Sequence, residues 1–341
     1  LKKIIKYVYT HNTFYKKLWD EHNVTLQISS LSDLNSFPIV TKKMLLDAKF
    51  NTTLISRPFQ NKNSLHKDRT TGSSGNPFEV ILNKSSFDER VGSSLAIQEW
   101  YNLNIGDRQV KLWRGNLNKH FFTKVKEFLT QKITLCIYDP DNPSESRLNS
   151  NRIQVIINEL NKLKPKVIDG YVSALVMIAT YLKDTNQSLN FKLTSIVTGA
   201  EKLTEEDRAL IQGAFNCKVF NRYGGTEFSI IAHECAHQSE STHYLHTIDY
   251  RGIVETVNND TPVINELGDI IFTDFHSLAL PLIRYKTGDT GILSDEQCPC
   301  SLPYKLLKEV CGRSNDTFQL TDGSYVSSHI WQHFFKKYLN I

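Results

Sequence analysis

Residues 69–77 combine two glycines with a run of hydroxyl side chains, in the order R-T-T-G-S-S-G-N-P. Glycine lets backbone N–H groups turn toward an anion, and serine and threonine hydroxyls add further donors. The segment therefore predicts a cradle for phosphate groups, although a Gly/Ser stretch taken alone is more often a surface loop. It lacks the G-x-x-x-x-G-K-[ST] pattern, which disfavours a Walker-type nucleotide triphosphatase.

Three further motifs carry side chains suited to the same chemistry: Y-G-G-T-E at 223–227, Y-K-T-G-D at 285–289 and G-R-S-N-D at 312–316. Attack of a carboxylate on the α-phosphate of a nucleotide, with pyrophosphate leaving, needs groups that hold the phosphates, bring a divalent cation and neutralise charge. Backbone amides and hydroxyls at 70–75 suit the first task, and the carboxylate of Glu227 suits the second. Asp289 on a ribose would fix the nucleotide without adding negative charge beside the phosphates.

Together, residues 70–77 and these three motifs resemble, in the same order, the motifs of the adenylate-forming superfamily. That superfamily comprises acyl-CoA synthetases, luciferases and peptide-synthetase adenylation domains. The resemblance implies an enzyme that uses ATP and Mg²⁺ to activate a small-molecule carboxylic acid as an acyl- or aryl-adenylate. It assigns the phosphates of ATP to Thr70, Thr71, Gly72, Ser73, Ser74 and Gly75.

The resemblance also implies a role for single residues of the later motifs. Thr226 contacts the α-phosphate, and Glu227 binds Mg²⁺. Asp289 holds the ribose hydroxyls, Arg313 reaches the ribose or a phosphate, and Asp316 lies at the pivot of a hinge.

The adenine and acid pockets are predicted from residues at the ends of expected strands. Gly199, Ala200 and Glu201 match the superfamily's adenine-pocket segment, with an ordinary strand-to-helix turn as the alternative. The same pocket is lined by Asn221, Arg222, Tyr223 and Gly224. Tyr171 lies where the family places an aromatic residue near the acyl substrate, and a core aromatic is the alternative.

One branch of the superfamily is most similar. The segments F-P-I-V-T-K at 37–42 and P-L-I-R-Y at 281–285 resemble those of phenylacetate–CoA ligases and CapK-like proteins. This branch implies transfer of the acyl group to CoA or another acceptor, and a role in capsular or surface polysaccharide biosynthesis. The acid itself is not readable from the sequence. Two alternatives are a non-catalytic nucleotide-binding or partner module of a glycan assembly system and, ranked lower, a nucleotidyltransferase acting on a sugar phosphate.

The cysteines suggest a metal site rather than a disulfide scaffold, because six in 341 residues are sparse. Cys235, the pair Cys298 and Cys300, and a histidine would supply the four soft ligands of a closed structural zinc site. The related proteins carry the same pattern at equivalent points. Free thiols and scattered surface histidines are the alternative. The fourth ligand is predicted to be His246, followed in rank by His243, His233 and His237.

Composition excludes several classes of function. A net charge of +4 with no block of one sign gives no nucleic-acid footprint. The sequence contains no run of about 18 apolar residues, so no membrane span is expected. With no signal segment and few cysteines, we expect a cytoplasmic protein. A homodimer remains open.

The elements that must position these residues follow from periodicity. Strands are predicted at 109–113, 133–138, 167–168, 193–198 and 218–221, with helices at 119–131, 150–163, 172–182 and 204–215. This alternation predicts a parallel α/β sheet with ligands at the C-terminal ends of its strands. After residue 240, short strands at 250–257, 269–274, 282–285, 291–294 and 317–320 predict an antiparallel sheet or a small barrel. The fold class is α/β, with two Rossmann-like βα subdomains and a smaller β-rich one near 240–312.

The flanking regions carry weaker signals. Residues 1–60 are predicted to be helical and irregular, with Thr41 capping a short helix, and 61–84 to form a loop and hairpin. Residues 86–89 match a capping box for a helix to residue 100. A closing helix is predicted at 327–339.

The domain scheme comes from the family. It assigns residues 1–313 to a large ATP- and carboxylate-binding domain and residues 314–341 to a hinge and the start of a lid. Related enzymes continue with a lid of about 100 residues that carries a catalytic lysine. The sequence ends at Ile341, so we expect a missing lid, through a fragment or a truncated member, with ATP binding but poor adenylation.

Overall fold

The structure is a computed structural model that describes residues 1–49, 54–60, 65–69, 78–115, 120–138, 148–237, 242–313, 317–319 and 325–327. The predicted phosphate loop Thr70–Gly75, Asp316 and all but the first residue of the predicted helix at 327–339 lie outside these residues.

The helices of these ranges are α1 (Lys2–His11), α2 (Thr13–Glu21), α3 (Lys42–Lys49), α4 (Lys84–Ala96), α5 (Phe121–Thr130), α6 (Ser150–Leu163), α7 (Val172–Asp184) and α8 (Glu205–Phe215). Short 3₁₀ helices occupy Leu31–Ser36, Arg57–Phe59 and Ile97–Tyr101. The strands are β1 (His66–Arg69), β2 (Glu79–Leu82), β3 (Gln109–Arg114), β4 (Lys132–Tyr138), β5 (Val167–Tyr171), β6 (Ser195–Gly199), β7 (Lys218–Gly225), β8 (Ser229–Glu234), β9 (Leu245–Thr247), β10 (Gly252–Asn258), β11 (Thr261–Val263), β12 (Leu267–Asp274), β13 (Tyr285–Ser294), β14 (Leu306–Arg313), β15 (Thr317–Gln319) and β16 (Tyr325–Ser327).

The chain forms two compact units, each discontinuous in sequence. Unit 1 comprises residues 1–93, 224–232 and 244–341, and unit 2 comprises residues 94–223 and 233–243. The boundary predicted after residue 313 stays a prediction.

Unit 2 is built on a parallel sheet with the strand order β7-β6-β5-β3-β4. Its central strands bury Val110, Ile168 and Ile196, as expected of a parallel sheet covered on both faces. Helix α6 buries apolar residues at the spacing of one helical face, namely Ile153, Ile156, Ile157 and Leu160. The predicted alternation over 109–221 is confirmed, although β5 and β7 run several residues longer than predicted.

Unit 1 is built on an antiparallel sheet with the strand order β11-β10-β12-β13-β14-β9, and β1 and β2 form a separate hairpin. The predicted change to antiparallel strands after residue 240 is therefore confirmed. Helix α3 begins where predicted, because the Met44 N–H donates to the Thr41 hydroxyl at 3.3 Å. Val40 pairs with Tyr285 in an isolated parallel bridge, which fixes the chain before α3 to the start of β13.

Two local predictions are wrong. The capping box at 86–89 does not form, because α4 begins at Lys84 and the Ser86 hydroxyl donates to the His276 carbonyl at 3.1 Å. Residues 282–284 are not part of a strand: Arg284 has a left-handed backbone with φ of 45°, and β13 begins at Tyr285. The mixed α/β class itself is confirmed.

Candidate functional site

Three of the predicted ligand segments meet at the carboxyl edge of the parallel sheet in unit 2. Tyr171 ends β5 directly opposite Gly199, the last residue of β6. Thr198 pairs with Asn221 on β7, so the segment 221–223 follows alongside. In open parallel sheets this edge is where ligands bind, because loops and helix N-termini gather there.

Four side chains, two of them charged, form a cluster at this edge: Asp169, Arg222, Trp113 and Tyr171. The Arg222 guanidinium donates to both carboxylate oxygens of Asp169, at 2.6 and 3.0 Å. The Trp113 indole donates to the same carboxylate at 2.9 Å, and the Arg222 guanidinium lies 5.4 Å from the Trp113 ring centroid. The Trp113 and Tyr171 rings are 4.2 Å apart. The cluster is therefore a neutralised ion pair beside two aromatic rings.

Gly199 is required by this arrangement. A Cβ at residue 199 would lie 2.9 Å from Nε and 3.1 Å from Cγ of Arg222, so the arginine stem passes over the glycine backbone. Sequence reasoning placed Gly199 and Arg222 in one pocket, and the structure brings them into contact. It missed Asp169 and Trp113 as their partners, because they lie on β3 and β5, far from residue 222 in sequence.

Glu201 has a structural task as well as its predicted position. Its carboxylate accepts from the backbone N–H of Ser173 at 2.6 Å and from the Ser173 hydroxyl at 2.9 Å. Both groups belong to the first turn of α7, where a carboxylate is favoured by the helix dipole. Ala200 has a left-handed backbone with φ of 67°, which turns the chain sharply after β6. The Asn221 amide oxygen accepts from the Thr198 hydroxyl at 3.3 Å.

In unit 1, Thr226 and Glu227 lie in a tight turn between β7 and β8. A Cβ at Gly224 would lie 2.5 Å from the Ser229 carbonyl oxygen, and one at Gly225 would lie 2.8 Å from the Phe228 ring. Both glycines of the Y-G-G-T-E motif are therefore needed for close approach across the turn. Ser229 leaves the turn with a left-handed backbone, at φ of 61°.

Glu227 presents its carboxylate beside a lysine. Lys42 Nζ lies 3.5 Å from Glu227 Oε1, and the two side chains are 26% and 14% exposed. Oxygen ligands of this kind suit Mg²⁺, which takes one or two carboxylates and completes its shell with substrate phosphates and water. The donors at this turn fit the predicted metal.

Asp289 lies on β13 at a point where the strand is distorted. Gly288 has φ of +86°, and the Asp289 N–H donates to the Thr287 hydroxyl at 3.2 Å. Across the sheet, Asp289 is opposite Arg313, the last residue of β14. The structure thus brings two of the predicted ribose-binding positions to adjacent strands.

Three of the predicted zinc ligands gather in unit 1. Cys300 Sγ lies 3.2 Å from His246 Nε2, and the ligand atoms of Cys298, Cys300 and His246 lie within 4.8 Å of one another. Two thiols and an imidazole at these separations fit the soft donor set of zinc. Cys235, the predicted fourth ligand, follows β8 in unit 2.

The lower-ranked histidines have other environments. His233 is buried against Trp100 and Tyr101, and burial lowers its pKa to about 4. His243 Nε2 lies 3.5 Å from the Glu205 carboxylate. These contacts agree with the choice of His246.

None of the helices in the described part of the chain combines the length and apolar character needed to cross a bilayer.

Comparison with known proteins identifies two relatives of this chain. No protein-family model matches the chain. The chain is 25% identical over 334 residues to Protein CapK of Staphylococcus aureus, covering 96% of this chain and 69% of CapK. It is also 25% identical over 332 residues to a phenylacetate–coenzyme A ligase of Thermus thermophilus, covering 93% and 69%. CapK and the phenylacetate–CoA ligases are homologues of this chain.

Solved structures agree with this relationship at the level of the fold. An open conformation of 2-hydroxyisobutyryl-CoA ligase, in complex with 2-HIB-AMP and CoA, gives a TM-score of 0.79 at 18% identity, covering 99% of this chain and 78% of that one. An anthranilate CoA ligase in complex with anthranoyl-AMP gives 0.56 at 15% identity, covering 76% and 49%. The chain therefore has the fold of these CoA ligases, and its sequence is similar to CapK and to phenylacetate–CoA ligases.

Proposed function

We propose that the protein activates a carboxylic acid with ATP as an acyl- or aryl-adenylate and then transfers the acyl group to CoA or another acceptor. The observation that carries the proposal is the carboxyl edge of the unit 2 sheet. There the segments that end β5, β6 and β7, each predicted separately as a ligand segment, lie side by side. The similarity to phenylacetate–coenzyme A ligases supplies independent support.

The first step is an in-line displacement at phosphorus. A carboxylate oxygen of the acid attacks the α-phosphate, a new P–O bond forms, and the bond to the bridging oxygen of the β-phosphate breaks. Pyrophosphate leaves with the bond's electron pair. In the second step the acceptor, a thiolate in the case of CoA, attacks the acyl carbonyl carbon, and AMP leaves.

Each residue of the predicted nucleotide site has a role in binding the nucleotide. Thr226 donates its hydroxyl to the α-phosphate, and Glu227 holds Mg²⁺, which when bound neutralises phosphate charge. Asp289 accepts hydrogen bonds from the ribose hydroxyls, and Arg313 reaches the ribose or a phosphate. The phosphates and the adenine are held by Thr70–Gly75, Gly199, Ala200, Glu201, Asn221, Arg222, Tyr223 and Gly224.

Aromatic acids whose carboxylate is their only charged group are the first substrates to test. Trp113 and Tyr171 offer adjacent ring surfaces, and Asp169 already neutralises Arg222 at 2.6 Å. A planar ring on the acid would stack favourably on these two rings. The capsular polysaccharide role predicted from the CapK-like resemblance concerns the acceptor, and it stays a prediction.

We also propose a structural zinc ion held by Cys298, Cys300 and His246. Cys235 is the fourth ligand that the sequence pattern predicts. A closed four-ligand site of this type contributes folding energy and has no open position for catalysis.

Carboxylate-dependent ATP–pyrophosphate exchange tests the proposal. The protein expressed from its complete gene is assayed with a panel of aromatic, fatty and amino acids, and Glu227→Gln is the matched control. We expect exchange with at least one acid in the wild type and loss of exchange in the variant, which keeps the size of the side chain. Mg·ATP binding with no exchange for any acid would favour the non-catalytic nucleotide-binding module.

A further inference from the structure

The turn at residues 226–228, between β7 and β8, presents three consecutive backbone carbonyls that accept hydrogen bonds from arginine side chains. Buried carbonyls need hydrogen-bond donors, and a turn between two strands leaves them pointing out of the ladder. Two arginines supply the donors. Arg90 donates to the carbonyl oxygens of Thr226 and Glu227, at 3.1 and 2.5 Å, and Arg251 donates to that of Phe228 at 3.0 Å.

The Arg251 guanidinium is itself held in place by a carboxylate. Arg251 is 1% exposed and lies 3.3 Å from the Asp274 carboxylate. Asp274 in turn accepts from the backbone N–H and the hydroxyl of Ser277. Arg90 projects from α4, and burial lowers its pKa to about 10, with Asp274 among the carboxylates that oppose the shift. Arg90 therefore keeps its positive charge at neutral pH.

We propose that Arg90 and Arg251 are positioning residues for the nucleotide site. The two arginines, together the arginine clamp, fix the path of the turn. The Thr226 hydroxyl and the Glu227 carboxylate then project in set directions before Mg·ATP arrives. The inference rests on the proposed function for the nucleotide, whereas the contacts that carry it are independent of that function.

The planar fork of arginine explains why this residue type is used. One guanidinium can donate to two neighbouring carbonyls in a fixed geometry, whereas a lysine ammonium is a single point. Arg90→Lys therefore keeps the charge and removes the bridge between the two carbonyls. Arg251→Lys keeps the charge and removes Nη2, the single donor to the Phe228 carbonyl. Arg90→Gln removes the charge as well.

Arg284 is a matched control. It is also a buried arginine of unit 1, and its guanidinium donates to the carbonyls of Asn35 and Phe37 at 3.3 and 2.8 Å. It touches none of residues 226–228 through these bonds. Arg284→Lys should lower thermal stability as much as the clamp variants do, which separates a loss of stability from a loss of position.

Two measurements test the clamp. Amide hydrogen exchange over residues 224–232 reports the turn directly, and calorimetry reports ATP affinity with and without Mg²⁺. In Arg90→Lys and Arg251→Lys we expect exchange in this segment to rise about tenfold or more, and Mg²⁺-dependent tightening of ATP binding to fall by a similar factor. ATP affinity without Mg²⁺ should fall by a smaller factor, because only the hydrogen bond from the Thr226 hydroxyl is affected, and Arg284→Lys should leave both readouts near wild type.

The outcomes separate the two claims. Unchanged exchange at 224–232 in Arg90→Lys, Arg90→Gln and Arg251→Lys would overturn the clamp. Faster exchange with full Mg²⁺-dependent tightening would also overturn it as a positioning device, because the arginines would then be structural only. A wild type that binds no Mg·ATP would contradict the proposed function, and the exchange data alone would then decide whether the arginines hold the turn.

Discussion

At the scale of single residues, the conformation of the backbone sets the direction of the oxygen-bearing side chains of the candidate site. Asp289 owes its place to Gly288, whose φ of +86° most residues with a side chain would resist. Thr287 adds to this by donating its hydroxyl to the Ile270 carbonyl at 3.0 Å, which fixes the distorted stretch of β13 to β12. The backbone position of Asp289 is therefore fixed by its neighbours Thr287 and Gly288.

Asp289→Ala should weaken ATP binding by about 1.5–3 kcal/mol, because charge-assisted hydrogen bonds to the ribose hydroxyls are lost. Isothermal calorimetry with ATP measures the change. Binding of inorganic pyrophosphate, which has no ribose, is the internal control and should stay the same. Equal ATP affinity in the variant and the wild type would mean that Asp289 does not hold the ribose.

How far single residues could be read from sequence depends on their local pattern. Thr226, Glu227 and Asp289 stand in short motifs, so their order and type are visible. Arg90 has no such signal, since it contacts Thr226 across a separation of 136 residues. A guanidinium that binds backbone carbonyls leaves no trace in the sequence of its partners, because every residue has a carbonyl.

At the scale of elements, the turn between β7 and β8 is a tightly constrained piece of backbone. Gly224→Ala should destabilise the protein by about 1–3 kcal/mol and weaken Mg·ATP binding, because its Cβ would meet the Ser229 backbone. Urea unfolding and calorimetry measure the two effects. Gly213→Ala in α8 is the matched control: its Cβ would meet nothing within 4 Å, so stability should rise by about 0.5–1 kcal/mol. A Gly224→Ala protein as stable as wild type would contradict this packing.

A buried ion pair connects α8 to the sheet of unit 2. Arg208 Nη2 lies 2.6 Å from Glu234 Oε1, and Arg208 also donates to the Val219 carbonyl at 2.7 Å. Arg208→Met should destabilise the protein by about 3–5 kcal/mol, because Glu234 is left as a buried charge without its main partner.

Urea unfolding of the Arg208 variant measures this cost, with Lys162→Met as the control. Lys162 pairs with Glu159 at an exposed position of α6, so its removal should change stability by less than about 1 kcal/mol. Similar losses of unfolding free energy in the two variants would show that the buried ion pair contributes no more to stability than the exposed one.

Elements were predictable where periodicity spans a whole segment. Helix α6 occupies the predicted range because its apolar residues recur at helical spacing. The strand predicted at 282–285 failed at Arg284, whose backbone turns left-handed while its guanidinium reaches the Phe37 carbonyl. That contact is tertiary, and local propensity cannot register it. Strand β14 carries Arg313, yet it was not predicted as a strand.

At the scale of the whole molecule, the order of the motifs along the chain was the strongest signal in the sequence. It indicated the adenylate-forming fold, which the TM-score of 0.79 to a CoA ligase supports. The division into two discontinuous units was not predictable, because residues 224–232 group with unit 1 although they lie between two segments of unit 2 in sequence.

The zinc proposal also belongs to this scale, since the predicted ligands come from widely separated segments. Elemental analysis of protein purified without added metal should find about one zinc per chain in the wild type and a large loss in His246→Ala. Cys217→Ala is the control and should keep its zinc, because Cys217 is not among the clustered ligand residues. Wild-type protein with no zinc, and unaffected by a chelator, would contradict the site.

The most direct test of the account uses an acid labelled with oxygen-18 in its carboxylate, chosen from those that support exchange, together with Mg·ATP and an acceptor. Attack of the carboxylate on the α-phosphate must leave one labelled oxygen on AMP when the acyl group departs. We predict AMP carrying the label and unlabelled pyrophosphate, as mass spectrometry of the products would show. Label in inorganic phosphate, with ADP as the nucleotide product, would contradict adenylation.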